Sequence, residues 1–198
     1  RKAGAKVELP CVNQSHYLTR ITQATIYLGL RHIGNLEQRS TAILLQERRK
    51  GNYLNLADFV ERTAMSLEQT IILIRIGAFR FTKKSKQALL WEAHFLLNKP
   101  LQTPVQDTLF RQPINSDFNM PPLHYDERND MLDELEILGF TIHPPFKLID
   151  EPDIKGIKAK DIPEYLNQEV QIIGHLVTTK YARTKHGEVM YFGTFLDE

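Results

Sequence analysis

Residues 67–97 carry the strongest helical periodicity in this chain of 198 residues. Apolar residues recur at helical spacing from Ile71 to Ile76 and again from Ala88 to Leu96, and Gly77 lies between the two runs. Two helices joined by a short glycine turn form a helix-hairpin-helix. Ser66, followed by Gln69 three residues later, predicts a capping box at the start of the first helix.

Basic residues crowd the turn between these two helices. Backbone N–H groups near a glycine turn and a helix N-terminus suit a phosphate, so we expect Gly77 and Ala78 to approach a phosphate backbone. A helix pair whose exposed side is solvated by lysines explains the same pattern. The basic candidates are Arg75, Arg80, Lys83, Lys84 and Lys86.

A second, weaker hairpin precedes the first one in the chain. Gly34 and Asn35 predict its turn, and the residues from Glu37 to Lys50, with Arg39 near the start, predict its helix. The basic run 48–50 favours a helix C-terminus electrostatically, which explains those charges without a ligand. Further predictions are a strand over 25–30, an Asn52 or Asn55 cap on a short helix through Phe59 to Arg62, and a buried Cys11.

The chain changes character after residue 98. Five prolines interrupt residues 99–125, which we interpret as a linker or long loop. Within it, Leu109 and Phe110 follow Gln106, and this apolar pair either packs back on its own domain or fills a partner's groove. A helix over 126–138 follows, with an apolar face of Met131, Leu132, Leu135 and Leu138 and an acidic, solvated outer face.

The last part of the chain has the pattern of two strands, 170–177 and 188–196, with a basic connection. This is compatible with the opening strands of an OB-fold barrel. The predicted class is therefore α+β, mainly α-helical with tandem helix-hairpin-helix motifs and a partial OB-like segment. Candidate single-strand contacts are Lys180, Arg183 and Lys185, with Tyr181 either a stacking platform or a packed strand residue.

Charge is divided unequally along the chain. Residues 1–98 contain 15 Lys and Arg against 7 Asp and Glu, net +8, whereas residues 99–198 contain 10 against 17, net −7. A basic half indicates a polyanionic partner. We find no metal-ligand spacing among the histidines, no catalytic constellation and no membrane span, so we predict no catalytic residue, metal or cofactor within this chain.

Several stretches together resemble the alpha subunit of bacterial DNA polymerase III, the C-family replicative polymerase. They are AGAKVELPCVNQS, IYLGLRHIGNLEQRSTAILLQERRKGNYLNLADFVERT, LEQTIILIRIGAFRF, LDELEILGFTIHPPFKLI and EVQIIGHLVTTKYARTKHGEVMYFGTFLDE. The resemblance spans almost the whole chain in the family's order. Two departures stand out, because the first hairpin has only Gly34 where two glycines are common, and Arg80 follows Gly77-Ala78-Phe79 where Asp is frequent.

The resemblance implies a map of the chain. Residues 1–30 would end the fingers, and residues 31–98 would form a tandem helix-hairpin-helix module. Residues 99–125 would be a Pro-rich linker that carries the clamp-binding motif at Gln106, Leu109 and Phe110. Residues 126–167 would be an acidic helix and connecting loop, and residues 168–198 would begin a truncated OB domain. The chain starts at Arg1 rather than Met, and we expect it to be a non-catalytic piece of a longer polymerase whose palm holds Mg²⁺.

The partners implied by the resemblance are double-stranded template-primer DNA, single-stranded template, the sliding clamp (beta subunit) and other replicase subunits, in the bacterial cytoplasm at the nucleoid and away from membranes. Two other hypotheses stay open on the residues alone. One is a helix-hairpin-helix and OB module of a DNA-repair or recombination protein. The other is a scaffold whose helices bind proteins and not DNA.

Overall fold

The polypeptide divides into two units, residues 1–142 and residues 143–198. The computed structural model describes residues 4–98, 126–149 and 156–197. The α+β class is confirmed, since these residues hold α-helices together with two small sheets. The division after residue 142 falls inside the acidic segment predicted over 126–167. The clamp-motif prediction at 106–110 lies outside the described residues.

The first unit opens with a small mixed sheet. Its strands are β1 (Lys6–Glu8), β2 (Arg20–Thr22) and β3 (Thr25–Tyr27), with β3 in the middle, parallel to β1 and antiparallel to β2. The strand predicted over 25–30 is shorter because the chain turns to pack on residues 17–19. A Cβ atom on Gly29 would lie 2.5 Å from the Leu18 carbonyl carbon, so only glycine allows this approach.

Five α-helices follow among the described residues: α1 (Gln38–Arg48), α2 (Leu56–Thr63), α3 (Leu67–Arg75), α4 (Lys86–Leu97) and α5 (Glu127–Leu138). The predicted caps at Asn55 and Ser66 are confirmed, since each side-chain oxygen accepts a backbone N–H three residues ahead. Short 3₁₀ turns at Leu30–His32 and Arg80–Thr82 precede α1 and α4, which gives the two hairpins.

The core of the first unit is built on three aromatic rings. Tyr53 and Phe59 meet edge to face with centroids 4.9 Å apart, and Phe59 and Phe79 meet in the same way at 5.0 Å. Leu73 and Ile74 from α3 are fully buried beside them. Edge-to-face aromatic pairs stabilise a core beyond their area burial. Phe79 therefore fixes the turn between α3 and α4 to the core. Cys11 is buried and unpaired, as predicted.

The buried face of α5 agrees only in part with the one predicted. Leu132 is 52% exposed, whereas the buried positions are Met131, Glu134 and Ile137. The Glu134 carboxylate accepts hydrogen bonds from Thr141 Oγ1 at 2.7 Å and Ile142 N at 2.8 Å. The charge is buried because the chain that leaves the helix supplies donors to it. Gly139, at φ 78°, ends α5 as the sequence predicted.

The second unit contains 3₁₀ turns at Pro145–Leu148 and Ala159–Tyr165 and one antiparallel hairpin, β4 (His175–Arg183) with β5 (Val189–Leu196). The strand predicted over 170–177 starts about five residues too early. Strand β4 extends to Arg183 because β5 pairs with it up to that residue. Every residue of both strands is exposed. The OB-like barrel stays a prediction.

Candidate nucleic-acid interface

The turn at Gly77, expected to face phosphates, is closed by its own backbone. Gly77 N–H donates to Ile74 O at 2.9 Å, and Ala78 N–H donates to Leu73 O at 2.9 Å. Ala78 is fully buried, and Gly77 adopts φ 73°. These are the hydrogen bonds of a glycine-terminated helix end. Both amides are therefore satisfied within the fold, and their approach to a phosphate stays a prediction.

Arg80, the unusual residue after that turn, anchors the N-terminal segment. Its guanidinium donates to Leu9 O at 2.8 Å and to Pro10 O at 2.9 Å. It also lies 3.3 Å from the Glu8 carboxylate. A planar guanidinium can satisfy several acceptors at once. Arg80 thus holds the N-terminal segment against the second hairpin, and its guanidinium is occupied by groups within the fold.

Three further members of the basic cluster are paired with carboxylates. Lys84 lies just before α4, and its Nζ is 2.8 Å from the carboxylate of Glu92 in that helix. Arg75 pairs with Asp133 at 2.7 Å and also with Glu136. Lys86 pairs with Asp130 at 2.7 Å and with Asp133 at 3.2 Å. Of the five basic residues predicted at this turn, Lys83 alone has no ion pair within the described ranges.

The carboxylates of α5 were expected to form a solvated acidic face, and the ion pairs correct this. The hydrogen bonds that Arg75 donates to Glu136 and Asp133 raise its pKa further above its usual range. The same contact lowers the pKa of Glu136, chiefly through the hydrogen bond from Arg75. Asp133 bridges two basic side chains of the helix-hairpin-helix. The acidic helix therefore neutralises part of the basic half within one folded unit.

The turn of the first hairpin has one amide occupied. Gly34 N–H donates to Ile137 O at 2.7 Å, and a Cβ on Gly34 would lie 2.9 Å from the same oxygen. The C-terminal turn of α5 thus holds the Gly34 N–H, and the phosphate contact at Gly34 stays a prediction. Asn35 follows with φ 60°, a conformation that Asn tolerates, and its side chain is exposed.

Gln69 is the residue that sequence analysis missed at this turn. Its side chain lies across from its own helix, where Nε2 donates to Asn35 O at 2.9 Å and Oε1 accepts from Glu37 N at 2.8 Å. Gln69 is 4% exposed. The capping-box prediction placed this side chain on Ser66, but it joins α3 to the first hairpin instead. Only a buried polar residue on an otherwise apolar helix face could have signalled this.

The N-terminus of α1 is the open end of the first hairpin. Helices α2 to α5 each have a side-chain cap, whereas α1 has none among the residues that the structure describes. Exposed Arg31 and Arg39 flank this end, and neither forms an ion pair with a described residue. Glu37 also lies here and accepts from Ser40 Oγ at 3.3 Å. An uncapped helix end carries free N–H groups and partial positive charge.

The opposite end of α1 is bound into the fold. Arg48 donates to Val12 O at 3.0 Å and to Ser15 O at 2.6 Å, and burial lowers the pKa of its guanidinium. Arg49 ends the helix, is exposed, and forms no ion pair within the described residues. Arg48 is thus a structural residue, as the helix-terminus interpretation of the basic run allowed.

The hairpin of the second unit separates residues that were predicted to act together. Tyr181 lies opposite Tyr191, and Arg183 lies opposite Val189, on one face. Lys180 lies opposite Phe192 and thus on the other face, because neighbouring strand residues point to opposite sides. Lys185 lies in the connecting turn. The single basic track predicted along these residues is therefore divided between two faces.

The structure also bears on membrane-spanning segments and metal sites. The helices that the structure describes include none long and apolar enough to cross a membrane. Across residues 4–98, 126–149 and 156–197, no group of three His, Cys, Asp or Glu side chains is placed to hold a metal ion.

Comparison with known proteins agrees with the helix-hairpin-helix geometry. A sequence-family model described as a helix-hairpin-helix motif matches residues 4–89. A DNA polymerase III subunit alpha of Staphylococcus epidermidis is 28% identical over 95% of this chain, and one of Staphylococcus aureus is 26% identical over 100% of it. The chain spans 18% and 19% of the length of these relatives. The resemblance to this subunit is thus confirmed.

Proposed function

We propose that this chain is a DNA-binding segment of a replicative DNA polymerase, and that it holds the backbone of duplex DNA at the N-terminus of α1. The observation that carries the proposal is the uncapped start of α1, which lies between exposed Arg31 and Arg39 in a matched helix-hairpin-helix segment. Phosphate oxygens are suited to such a helix end. The turn at Asn35 would let the DNA backbone come close.

The charge pattern favours the N-terminus of α1 over the Gly77 turn as the place where DNA binds. Arg75, Arg80, Lys84 and Lys86 all have partners inside the fold. An arginine already held by a carboxylate gives little attraction to a phosphate, because contact would require the existing pair to break. Arg31, Arg39 and Lys83 have no such pair among the described residues, and they supply the sequence-independent attraction.

An anisotropy titration tests this proposal. The full 198-residue chain is mixed with a fluorescent duplex of mixed sequence in 50 to 200 mM salt. Arg39→Ala should weaken binding about 3- to 5-fold at low salt and reduce the salt slope by about 1, as loss of one phosphate contact predicts. Arg49→Ala is the matched control, since it removes the same charge from the other end of α1, about 15 Å away.

Two results would contradict the proposal. One is no duplex binding at 50 mM salt, which would favour the protein-scaffold hypothesis. The other is equal loss in the two variants, because the attraction would then come from net charge and not from the first hairpin. Arg49→Ala should stay within about 1.5-fold of the wild type, since a distant charge acts only through a screened field.

A contact with single-stranded template remains part of this proposal. Tyr181 and Arg183 share one face of the hairpin, and Tyr181 is 71% exposed. An exposed ring beside a cation is suited to base stacking with a phosphate contact. Lys180 and Lys185 would reach the strand only from the other face and from the turn, and their charges would contribute at longer range.

The clamp-binding proposal depends on the sequence pattern Gln106, Leu109 and Phe110 alone. An apolar pair in a polar segment can fill a partner's pocket while the glutamine bonds at its rim. Such a tether would raise the effective concentration of the polymerase at the primer end. A pull-down with the sliding clamp should lose the Leu109→Ala/Phe110→Ala variant, and equal retention of both proteins would contradict the tether. DNA synthesis, with its Mg²⁺ and other replicase subunits, is proposed for the longer protein only.

A further inference from the structure

We infer that α5 is an internal anionic cover on the helix-hairpin-helix, and that Asp133 and Glu136 limit how strongly and where this unit binds duplex DNA. The inference extends the proposed function and rests on it. It concerns a contact within the first unit, where α5 meets α3, the start of α4 and the turn of the first hairpin.

The contacts of α5 resemble those that a nucleic-acid backbone would make. Asp133 and Glu136 hold the Arg75 guanidinium, and Asp130 and Asp133 hold Lys86 Nζ. The Ile137 carbonyl accepts the Gly34 N–H at 2.7 Å. Carboxylates on cations and a carbonyl oxygen on a turn amide occupy the donors that phosphate oxygens would otherwise take.

Asp133 carries the central part of this arrangement. It lies 2.7 Å from Arg75 and 3.2 Å from Lys86, and its side chain is only 18% exposed. One carboxylate therefore pairs with two cations of the hairpin helices. Packing holds it in place, because its neighbours Met131 and Ile137 are buried on the core side of α5.

Glu136 adds a second anion, and the fold does not need it for stability. Its side chain is 66% exposed, yet it pairs with Arg75. A solvent-exposed carboxylate gains little stability from such a pair. Its main effect is then electrostatic, since it reduces the positive potential on the side of the module that the basic cluster would otherwise dominate.

The consequence is a directed interface. With Arg75 and Lys86 neutralised, Arg31, Arg39 and Lys83 are among the exposed cations that keep no ion pair within the described residues. A duplex is steered to the unpaired cations at the start of α1 and is not attracted to the α3–α5 side. The net charge of +8 in residues 1–98 is thus an overestimate of what DNA meets, because the carboxylates of α5 belong to the same folded unit.

The test compares duplex binding of three versions of the 198-residue chain in 50 to 200 mM salt. Asp133→Asn/Glu136→Gln removes both anions from Arg75 and keeps the shapes of the side chains. We expect it to bind about 3- to 10-fold more tightly than the wild type at 50 mM salt. The salt slope should steepen by about 1, the change expected from one added phosphate contact.

Glu164→Gln is a control for net charge, because Glu164 is exposed in the second unit and forms no ion pair within the described residues. A single negative charge is then lost outside the folded unit that holds Arg75. It should change affinity less than 1.5-fold. Glu136→Gln alone, at an exposed site, serves as the second variant if the double variant unfolds, and it should tighten binding about 2-fold.

The outcomes separate the inference from the proposed function. If the wild type binds and neither Asp133→Asn/Glu136→Gln nor Glu136→Gln binds more tightly, the inference is overturned and the proposed function stands. Equal tightening by Glu164→Gln would also overturn it, since net charge would explain the gain. If no version binds duplex at 50 mM salt, the proposed function and the inference both fail.

Discussion

Replacing Arg80 should damage the fold and leave DNA binding intact. Arg80 was expected to contact DNA, but its guanidinium donates to Leu9 O and Pro10 O at 2.8 and 2.9 Å and joins the N-terminal segment to the second hairpin. In Arg80→Ala both carbonyls lose a charged donor. We expect the variant to be less stable and, where folded, to bind duplex as the wild type does.

The size of the effect follows from these two hydrogen bonds. A hydrogen bond to a charged group contributes about 1.5–3 kcal/mol when well shielded. The Arg80 side chain is 33% exposed, so water can replace part of each bond, and about 1 kcal/mol per bond is the reasonable value here. The free energy of unfolding should fall by about 2 kcal/mol. For a chain of this size, that lowers Tm by about 6 °C.

Urea denaturation and thermal melting measure the stability, and anisotropy below the melting range measures the affinity. Arg80→Lys keeps the charge but cannot bridge both carbonyls, so it should lose most of the same stability. Lys83→Ala is the matched control in the same turn, since Lys83 is exposed and has no ion pair among the described residues. Unchanged Tm together with a severalfold loss of affinity in Arg80→Ala would refute this reasoning.

Two further predictions concern the same unit. Gln69→Ala should lower the free energy of unfolding by about 1–2 kcal/mol and weaken duplex binding, because the Asn35 carbonyl and the Glu37 N–H both lose their partner. Urea denaturation measures this free energy, and unchanged stability would show that neither hydrogen bond matters. The stabilising contribution of Glu136 should be present above pH of about 4.3, its ordinary pKa, and should be lost as pH falls through its lower folded pKa. Because this contribution is small, the carboxyl titration of Glu136 is followed by NMR from pH 6 to 3. Its pKa should be lower in the wild type than in Arg75→Ala, and equal values would contradict the pairing with Arg75.

Local features of the fold could be predicted because they depend on neighbouring residues. Asn55 and Ser66 cap helices through bonds that span three residues, and Gly139 ends α5 by adopting a positive φ. The interruption at Gly77 marked the second hairpin for the same reason. Such signals lie within one turn of the chain, where residue type and backbone geometry are coupled.

Strand positions were predicted less well. The strand expected over 170–177 occupies His175–Arg183, since strand length is decided by the partner strand and not by the residues of one strand alone. The face of α5 was wrong in part, because the burial of Glu134 depends on donors from Thr141 and Ile142 that helical periodicity does not include.

The sequence by itself determined the helix-hairpin-helix pattern, most helix ends and the family resemblance, because periodicity, caps and ordered motifs are properties of short stretches. Only the tertiary structure decided which charges are available. Arg75 and Lys86 are paired with carboxylates 44 to 61 residues away in the chain, and Arg80 holds carbonyls about 70 residues before it. Whether a basic residue attracts DNA depends on what lies within a few ångströms of it, and chain folding sets those neighbours.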